Sequence, residues 1–201
     1  MRVKENDIKY LKDAKELLIN IDMVNGFVKK GVLAAPSIMR IVPRQIELLE
    51  EGLKREDTGI IFIRDSHSVD AEEFKTYPVH CVKGTYESEL IDELKKFEPY
   101  ALEYLKNSTN LVFVPKLQKD LLNLEKLEKI RLMGCLSEVC VLNGAIGLRN
   151  FFDEYNRHVE VMVHPDAIDT FDSLDHPADL VTENALKQMQ SNGIKVLSKK
   201  R

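Results

Sequence analysis

The stretch "KIRLMGCLSEVCVLNGAIGL" (129–148) predicts a strand, a tight turn and a helix in direct succession. Its first six positions form an apolar run, and Gly134 permits a sharp turn at the end of that run. Ser137 is a good N-cap, so we expect a helix to begin near Glu138 and to continue with apolar residues at helical spacing. A buried strand that feeds into a helix is typical of a parallel sheet.

The same alternation recurs along the chain. Five further short apolar runs resemble strands: "LLINI" (17–21), "GIIFI" (59–63), "YALEYL" (100–105), "VEVMV" (159–163) and "IKVL" (194–197). Between most runs lie stretches with apolar residues at helical spacing, namely 38–53, 90–97, 139–152 and 180–189. The runs are nearly continuous, as in strands that are buried on both faces.

These patterns predict an α/β, Rossmann-like three-layer fold. We expect a mostly parallel central sheet of about six strands with helices on both faces. No internal repeat or linker divides the sequence, so we expect a single domain over residues 1–201. The first 15 residues are expected to form a short helical addition ahead of the first strand.

Composition narrows the class of function. With 44% hydrophobic and 31% charged residues, the chain has the balance of an ordinary globular protein. A net charge of -4 gives no support for a nucleic-acid or membrane-surface partner and leaves a small molecule as the expected one. Three cysteines, an odd number, argue against a disulfide framework, and no secretory signal or membrane span is visible, so we expect a cytoplasmic location.

Reactive side chains follow several of the predicted strands. Asp22 follows the first strand, Asp65 and His67 end the second, Lys106 ends the third, and the 134–141 segment follows the fourth. In open parallel sheets, ligands bind beyond the carboxyl ends of the strands. We therefore expect an acid, an imidazole, an amine and a thiol to meet at one edge of the sheet.

The 134–141 segment contains two cysteines, and their positions differ in chemistry. Cys140 falls at about the third position of the expected helix, where free amides and the helix dipole would stabilise a thiolate and lower its pKa. Cys135 lies before the cap, so we expect it to pack in the core or line the site. A thiolate attacking a carbonyl needs a proton relay, which Asp22 and Lys106 could form. Backbone amides of the turn, including those of Leu136 and Cys140, could stabilise the oxyanion.

Each of these residues alone also has an ordinary structural explanation. A cysteine is commonly a small buried hydrophobe. Asp22 could be a helix cap or a salt-bridge partner, and Lys106 could be a solvated strand end. Lys116 and Lys119 lie in the same region and are alternative lysines; we prefer Lys106 because it directly follows a strand.

The long connection after the second strand carries a candidate metal site. If the strand continues, Asp65 and His67 point to one face, and His80 returns thirteen residues after His67. These oxygen and nitrogen donors suit zinc, iron or manganese, and Glu73 could supply a further ligand. Asp-x-His alone is a weak motif that is more often a surface hydrogen bond. Cys81 should point away from His80 if the segment is extended.

Taken together, the motifs resemble those of the isochorismatase-like cysteine hydrolases, and within them the nicotinamidases. The resemblance extends from about Leu17 to the C-terminus. It is carried by "NIDMVNGF" (20–27), "RDSH" (64–67), "YPVHC" (77–81), "LKNSTN" (105–110), "GCLSEVCV" (134–141) and "HPDAIDTFD" (164–172).

The resemblance implies a site and a reaction. The family's triad falls on the residues that the strand ends selected, Asp22, Lys106 and Cys140. Its metal ligands fall on Asp65, His67 and His80, with Glu73 as a candidate fourth, and its aromatic walls on Phe27 and Tyr77. It implies a non-proline cis peptide bond before Leu136 that aims amides at the oxyanion. The implied activity is hydrolysis of nicotinamide to nicotinate and ammonia through a cysteine thioester, with a divalent metal, zinc first and iron or manganese next, in NAD salvage by a homo-oligomer.

The sequence departs from the family pattern in two motifs. Val24 and Gly26 stand where nicotinamidases have Gln and Asp, and "KNSTN" (106–110) replaces a motif that usually continues towards Ser-Ala-Phe. Two alternatives therefore stay open: a hydrolase of another small amide, ureide or carbamoyl compound, and a non-catalytic member that binds a small molecule. A dinucleotide-binding domain is set aside, because no G-x-G-x-x-G follows the first strand.

Overall fold

The computed structural model describes residues 6–198 and centres on a six-stranded sheet in which all neighbouring strands are parallel. The strands are β1 (Glu16–Ile21), β2 (Thr58–Asp65), β3 (Ala101–Lys106), β4 (Lys129–Cys135), β5 (Glu160–Asp169) and β6 (Lys195–Val196). Their order is β3-β2-β1-β4-β5-β6. The predicted α/β class and strand number are confirmed. Relative to the predicted runs, β5 is longer and β6 is shorter.

Helices cover both faces of the sheet. They are α1 (Asn25–Val28), α2 (Val42–Leu53), α3 (Asp92–Lys95), α4 (Pro115–Asn123), α5 (Leu142–Glu154) and α6 (Ala178–Ser191). The apolar residues of α1, α2 and α3 form one core cluster, and those of α4, α5 and α6 form the other. Among residues 6–198, no helix is long and apolar enough to cross a membrane.

The central strands are buried on both sides, which explains their continuous apolar runs. In β1, every residue from Glu16 to Ile21 is buried. Leu17 and Ile19 belong to the cluster under α4–α6, whereas Leu18 belongs to the cluster under α1–α3. Because successive side chains of a strand point to opposite faces, this alternation feeds both cores.

Several predicted helices are shorter or divided in the structure. The predicted helix 38–53 is a 3-10 turn, Pro36–Ile41, followed by α2, which has Pro43 near its start; proline lacks the amide that a helix interior needs. The predicted helix 90–97 is helical only over α3. Helix α4 was not predicted. In the N-terminal addition, a single 3-10 turn, Ile8–Leu11, is described, and residues 1–5 lie outside the described residues.

The order of the strands creates a crevice between β1 and β4. The chain moves outward from β1 through β2 to β3, and then outward on the other side from β4 through β5 to β6. Ligands of such sheets bind at this switch point, beyond the carboxyl ends of the strands. Gly134 lets the two strands approach there: its φ is 131°, and a Cβ on it would collide with the carbonyl group of Ile21.

Candidate active site

The ends of β1, β2 and β3 bring three charged side chains into contact. Nζ of Lys106 lies 2.7 Å from Oδ2 of Asp22 and also forms an ion pair with Asp65. The backbone amide of Asp65 donates to Oδ1 of Asp22 at 2.8 Å. All three residues are almost completely buried. The structure therefore joins the carboxylate and the amine that the strand ends predicted.

The two alternative lysines lie elsewhere. Lys116 is on α4, where its exposed side chain pairs with Asp120 one turn later. Lys119 is also exposed on that helix. Among the three candidates, Lys106 is the one in contact with Asp22.

Cys140 completes the group. Its Sγ is 3.6 Å from Nζ of Lys106 and lies within 4.8 Å of a carboxylate oxygen of Asp22. It lies in a π-helical turn, Ser137–Val141, that precedes α5, and Leu136 occupies the N-cap position. The predicted N-cap at Ser137 was wrong. This residue lies inside the turn, and its hydroxyl group contacts Thr182 of α6 at 2.8 Å.

The expected lowering of the Cys140 pKa was also wrong. Burial raises the pKa of the Cys140 thiol well above its usual value; the positive charge of Lys106 opposes this shift without reversing it. Burial, together with the negative charge of Asp65, raises the pKa of Asp22 to about 7. Burial acts against the charge of Lys106 as well, but the two carboxylates outweigh it and raise its pKa well above the usual value. The site thus holds a protonated thiol beside a carboxylate suited to accept its proton near neutral pH.

The turn before Cys140 has the backbone feature that the resemblance implied. The peptide bond between Cys135 and Leu136 is cis. The carbonyl of Leu136 accepts hydrogen bonds from the amides of Val139 and Val141, and both Leu136 and Cys140 line the cavity described below. The use of the Leu136 and Cys140 amides as an oxyanion site stays a prediction.

The other two cysteines are buried and donate to backbone carbonyls. Sγ of Cys135 donates to the carbonyl of Asp22 at 3.1 Å, which fits the predicted packing role. Sγ of Cys81 donates to the carbonyl of Glu87 at 3.6 Å. Burial raises the pKa of Cys135 well above its usual value and also raises the pKa of Cys81.

Next to the triad lies a cluster of four candidate metal ligands. One donor atom from each of Asp65, His67, Glu73 and His80 lies within 4.8 Å of the others. Nε2 of His67 is 3.5 Å from Oδ1 of Asp65, and Nε2 of His80 is 3.9 Å from Oε1 of Glu73. Glu73 reaches this position on a 3-10 turn, Glu72–Lys75, within the long connection after β2.

The cluster fits a divalent ion. Nδ1 of His80 is 2.7 Å from the carbonyl of Pro78, and Nδ1 of His67 is 3.3 Å from Oδ1 of Asn107, so both rings are oriented through the nitrogen that faces away from the cluster. Nε2 of His67 is buried without a hydrogen-bond partner, which is the position of a metal-binding nitrogen. Two imidazoles and two carboxylates are typical ligands of zinc, iron or manganese.

Asn107 is a residue whose role the sequence did not reveal. Its Oδ1 faces His67 and also accepts from the backbone amide of Ser68 at 3.0 Å. It directly follows Lys106, in the motif that departs from the family pattern. An amide next to a strand-end lysine was the available signal, and its partner became visible only when β2 and β3 paired.

A cavity of about 670 Å³ opens onto Cys140 and the cluster of candidate metal ligands. Its volume lies within the range that encloses a small-molecule ligand. The predicted aromatic walls, Phe27 and Tyr77, both line it, with ring centroids 5.5 and 6.4 Å from that of His80. Residues that were not predicted also line it, including the segment 32–37, Thr109, Val139, Phe171 and Asp172.

The departure at Gly26 has a packing explanation. A Cβ at this position would lie 2.6 Å from Sγ of Cys81 and 3.0 Å from Cβ of Glu87. The aspartate that the family pattern has here would not fit between these neighbours. Val24 is fully buried in the cluster under α1–α3, so it packs in the core.

The chain is similar in sequence or in structure to several known proteins. Nicotinamidase 1 of Arabidopsis thaliana is 27% identical over 94% of this chain and 87% of its own length. The pyrazinamidase of Pyrococcus horikoshii, solved in complex with zinc, is 25% identical and superposes with a TM-score of 0.72 over 92% of this chain and 99% of that structure. The N-carbamoylsarcosine amidase of Thermoplasma acidophilum is 26% identical, with a TM-score of 0.69 over 90% and 95%.

The family assignment rests on a match to a family model. The sequence model of the Isochorismatase domain matches residues 16–200, which include every strand of the sheet and every candidate site residue. This match confirms the resemblance inferred from the motifs, and the chain belongs to the isochorismatase family.

Proposed function

We propose that the protein is a cysteine-dependent amidohydrolase whose substrate is nicotinamide, which it converts to nicotinate and ammonia. The observation that carries the proposal is the contact of Asp22, Lys106 and Cys140 at one end of a cavity that also holds the four-residue metal cluster. The nicotinamidase and pyrazinamidase relatives support the choice of an aromatic carboxamide.

The geometry supports a two-step reaction. In the first step, Asp22 accepts the thiol proton of Cys140, and the sulfur attacks the amide carbon to form a tetrahedral adduct. The proton then passes from Asp22 to the amide nitrogen and the C–N bond breaks. Ammonia departs, and the acyl group remains bound to Cys140 as a thioester. In the second step, Asp22 takes a proton from water, which attacks the thioester and releases the acid. The proton returns to the sulfur of Cys140.

Lys106 has a supporting role in both steps. Its ammonium group contacts Asp22 and lies 3.6 Å from Sγ of Cys140. It therefore stabilises negative charge on either atom as the proton moves between them. The raised pKa of Lys106 keeps this charge in place.

Asp65, His67, Glu73 and His80 would hold a divalent ion beside the triad, with zinc as the first candidate. Such an ion supplies a Lewis-acidic contact for a ring nitrogen of the substrate. The chain's own contribution is to fix the two imidazoles through Asn107 and Pro78 and to enclose the site with aromatic walls.

A second candidate is hydrolysis of another small amide, ureide or carbamoyl compound. The similarity to N-carbamoylsarcosine amidase and the replaced motif at 106–110 favour it. A non-catalytic role predicts loss of a triad residue, and all three are present and in contact. The single domain, cytoplasmic location, homo-oligomer and place in NAD salvage stay predictions.

The test is ammonia release from nicotinamide by the purified, zinc-supplemented protein. We expect turnover by the wild type and none by Cys140→Ala, because the thioester cannot form. Cys135→Ala is the matched control and should retain most of the activity. Equal loss in both folded variants would refute the assignment of the nucleophile. Release from N-carbamoyl compounds but not from nicotinamide would favour the second candidate.

A further inference from the structure

The segment that follows β5 forms an additional wall of the cavity. Thr170 is fully buried, and Phe171, which is 37% exposed, lines the cavity together with Cys140. Beyond them the segment turns outward, and Leu174 at its tip is completely exposed. The ring of Phe171 thus faces the cavity in which the proposed reaction takes place. Phe171 lies in the motif "HPDAIDTFD" (164–172), but the sequence assigned it no role.

The ring of Phe171 is held by His176. The two rings stack with a centroid distance of 3.8 Å and an interplanar angle of 9°. Nδ1 of His176 also lies 3.0 Å from the carbonyl of Phe171, so the same imidazole contacts both the ring and the backbone of this residue. A backbone bridge between Ser173 and His176 closes the turn that brings them together.

His176 is in turn fixed to the turn that carries the nucleophile. Its Nε2 is 3.2 Å from Oε1 of Glu138, which lies two residues before Cys140. The same carboxylate accepts from Oγ1 of Thr170 at 2.9 Å and from Oγ of Ser137 at 3.3 Å. The contacts therefore form a continuous chain from the π-helical turn to the cavity wall.

We propose that Phe171 is a specificity-determining residue that contacts the aromatic ring of the substrate, and that His176 and Glu138 are positioning residues that hold it there. The proposal rests on the proposed function in one respect, that the substrate carries an aromatic ring. Stacked and T-shaped ring contacts are favourable beyond the area that they bury. A ring fixed in advance also avoids the entropic cost of ordering it on binding.

Steady-state kinetics distinguish the substrate contact of Phe171 from the positioning role of His176. We expect Phe171→Ala to raise KM for nicotinamide about threefold to tenfold with little change in kcat, because a wall contact is made equally in the ground and transition states. His176→Ala should raise KM in the same direction. If His176 acts through Phe171, the double variant should have the KM of Phe171→Ala alone. His176→Phe retains a stacking ring and should restore part of the affinity.

The controls address the same segment. Leu174→Ala changes an exposed side chain of the same turn and should leave both constants unchanged. If the increase in KM of the double variant equals the product of the two single increases, the positioning role of His176 is refuted. An unchanged KM in Phe171→Ala, with turnover intact, would refute the wall and leave the proposed function standing.

Binding without turnover provides an independent test. The chain contains no tryptophan, so Phe171→Trp in a Cys140→Ala background places a single indole at the wall. We expect its fluorescence to change saturably as nicotinamide is added, whereas Leu174→Trp should show only linear collisional quenching. A saturable change without ammonia release by the wild type would support the wall and refute the amidase activity. A linear response at both positions would refute the wall, and if the wild type also releases no ammonia, the proposed function fails with it.

Discussion

Replacing Lys106 with methionine is expected to lower the free energy of unfolding by about 3–5 kcal/mol. Its ammonium group lies 2.7 Å from Oδ2 of Asp22 and pairs with Asp65 as well, in surroundings almost closed to water. At an effective dielectric constant of about 20, the attraction to Asp22 alone is about 6 kcal/mol. Much of this attraction offsets the cost of burying the charges. Removing the cation, however, leaves two buried carboxylates unpaired.

The assay is urea-induced unfolding of the wild type and the variant, with a chelator present so that no metal ion replaces the lost cation. The sign of the pH dependence is a second check. The pKa of Asp22 is already raised by burial, whereas the pKa of Asp65 is held below its usual value, in part by the charge of Lys106. Without Lys106 both pKa values should rise, so the folded variant should bind protons more tightly than the folded wild type. The loss of stability should therefore be largest near neutral pH and should shrink as the pH falls.

Lys116→Met is the matched control, because it removes the alternative lysine, whose half-exposed side chain pairs with Asp120 on α4. An ion pair whose cation is open to water contributes at most about 1 kcal/mol, and Asp120 keeps the hydrogen bond from the hydroxyl group of Tyr104. A loss of stability in Lys106→Met as small as that of the control would refute the reasoning, since it would mean that the two carboxylates do not depend on this cation.

Three further outcomes are expected. Gly134→Ala should lower the free energy of unfolding by several kcal/mol, on the order of the largest single-residue effects, because its Cβ would collide with the carbonyl of Ile21. The urea midpoint measures this loss, and a midpoint near that of the wild type would contradict it. Burial lowers the pKa of His164 from 6.5 to about 4. The neutral imidazole therefore contributes its full stabilisation above pH 6.5, and about 3 kcal/mol of the free energy of unfolding should be lost as the pH falls from 6.5 through 4. Urea unfolding above pH 6.5 and below pH 4 should show this loss in the wild type and not in His164→Gln. Asn107→Ala should weaken zinc binding about 10- to 100-fold by freeing the ring of His67, as measured by chelator competition, and unchanged affinity would contradict that role.

The fold and much of the site could be predicted because both depend on local patterns and one topological rule. Strands buried on both faces leave continuous apolar runs, such as Glu16–Ile21, that are visible in the sequence. The rule that ligands bind at the carboxyl ends of parallel strands then placed Asp22 beside Lys106, although one follows β1 and the other ends β3. No local pattern predicts that contact. It follows from the parallel sheet, which the alternation of strands and helices predicts.

What could not be predicted depends on contacts between distant segments. Helix α4 buries only one face, chiefly through Leu117 and Leu121, and this gives a weak apolar signal. The hydrogen bond from Thr170 to Glu138 spans 32 positions, and no sequence pattern near either residue predicts it. The role of Asn107 likewise required the pairing of β2 with β3.

The wrong prediction for the Cys140 pKa shows how local and tertiary effects compete at this site. A position near a helix start favours the thiolate, but that effect is modest and falls off within the first turn. Complete burial beside two carboxylates acts in the opposite direction and is stronger, so the nucleophile rests as a thiol. The same burial, with the charge of Asp65, raises the pKa of Asp22 to about 7. A carboxyl group whose pKa lies near the working pH can both accept and donate a proton. In the proposed reaction, the reactivity of Cys140 therefore depends on its base, Asp22, and on the ammonium group of Lys106 beside both residues, more than on the helix that carries the sulfur.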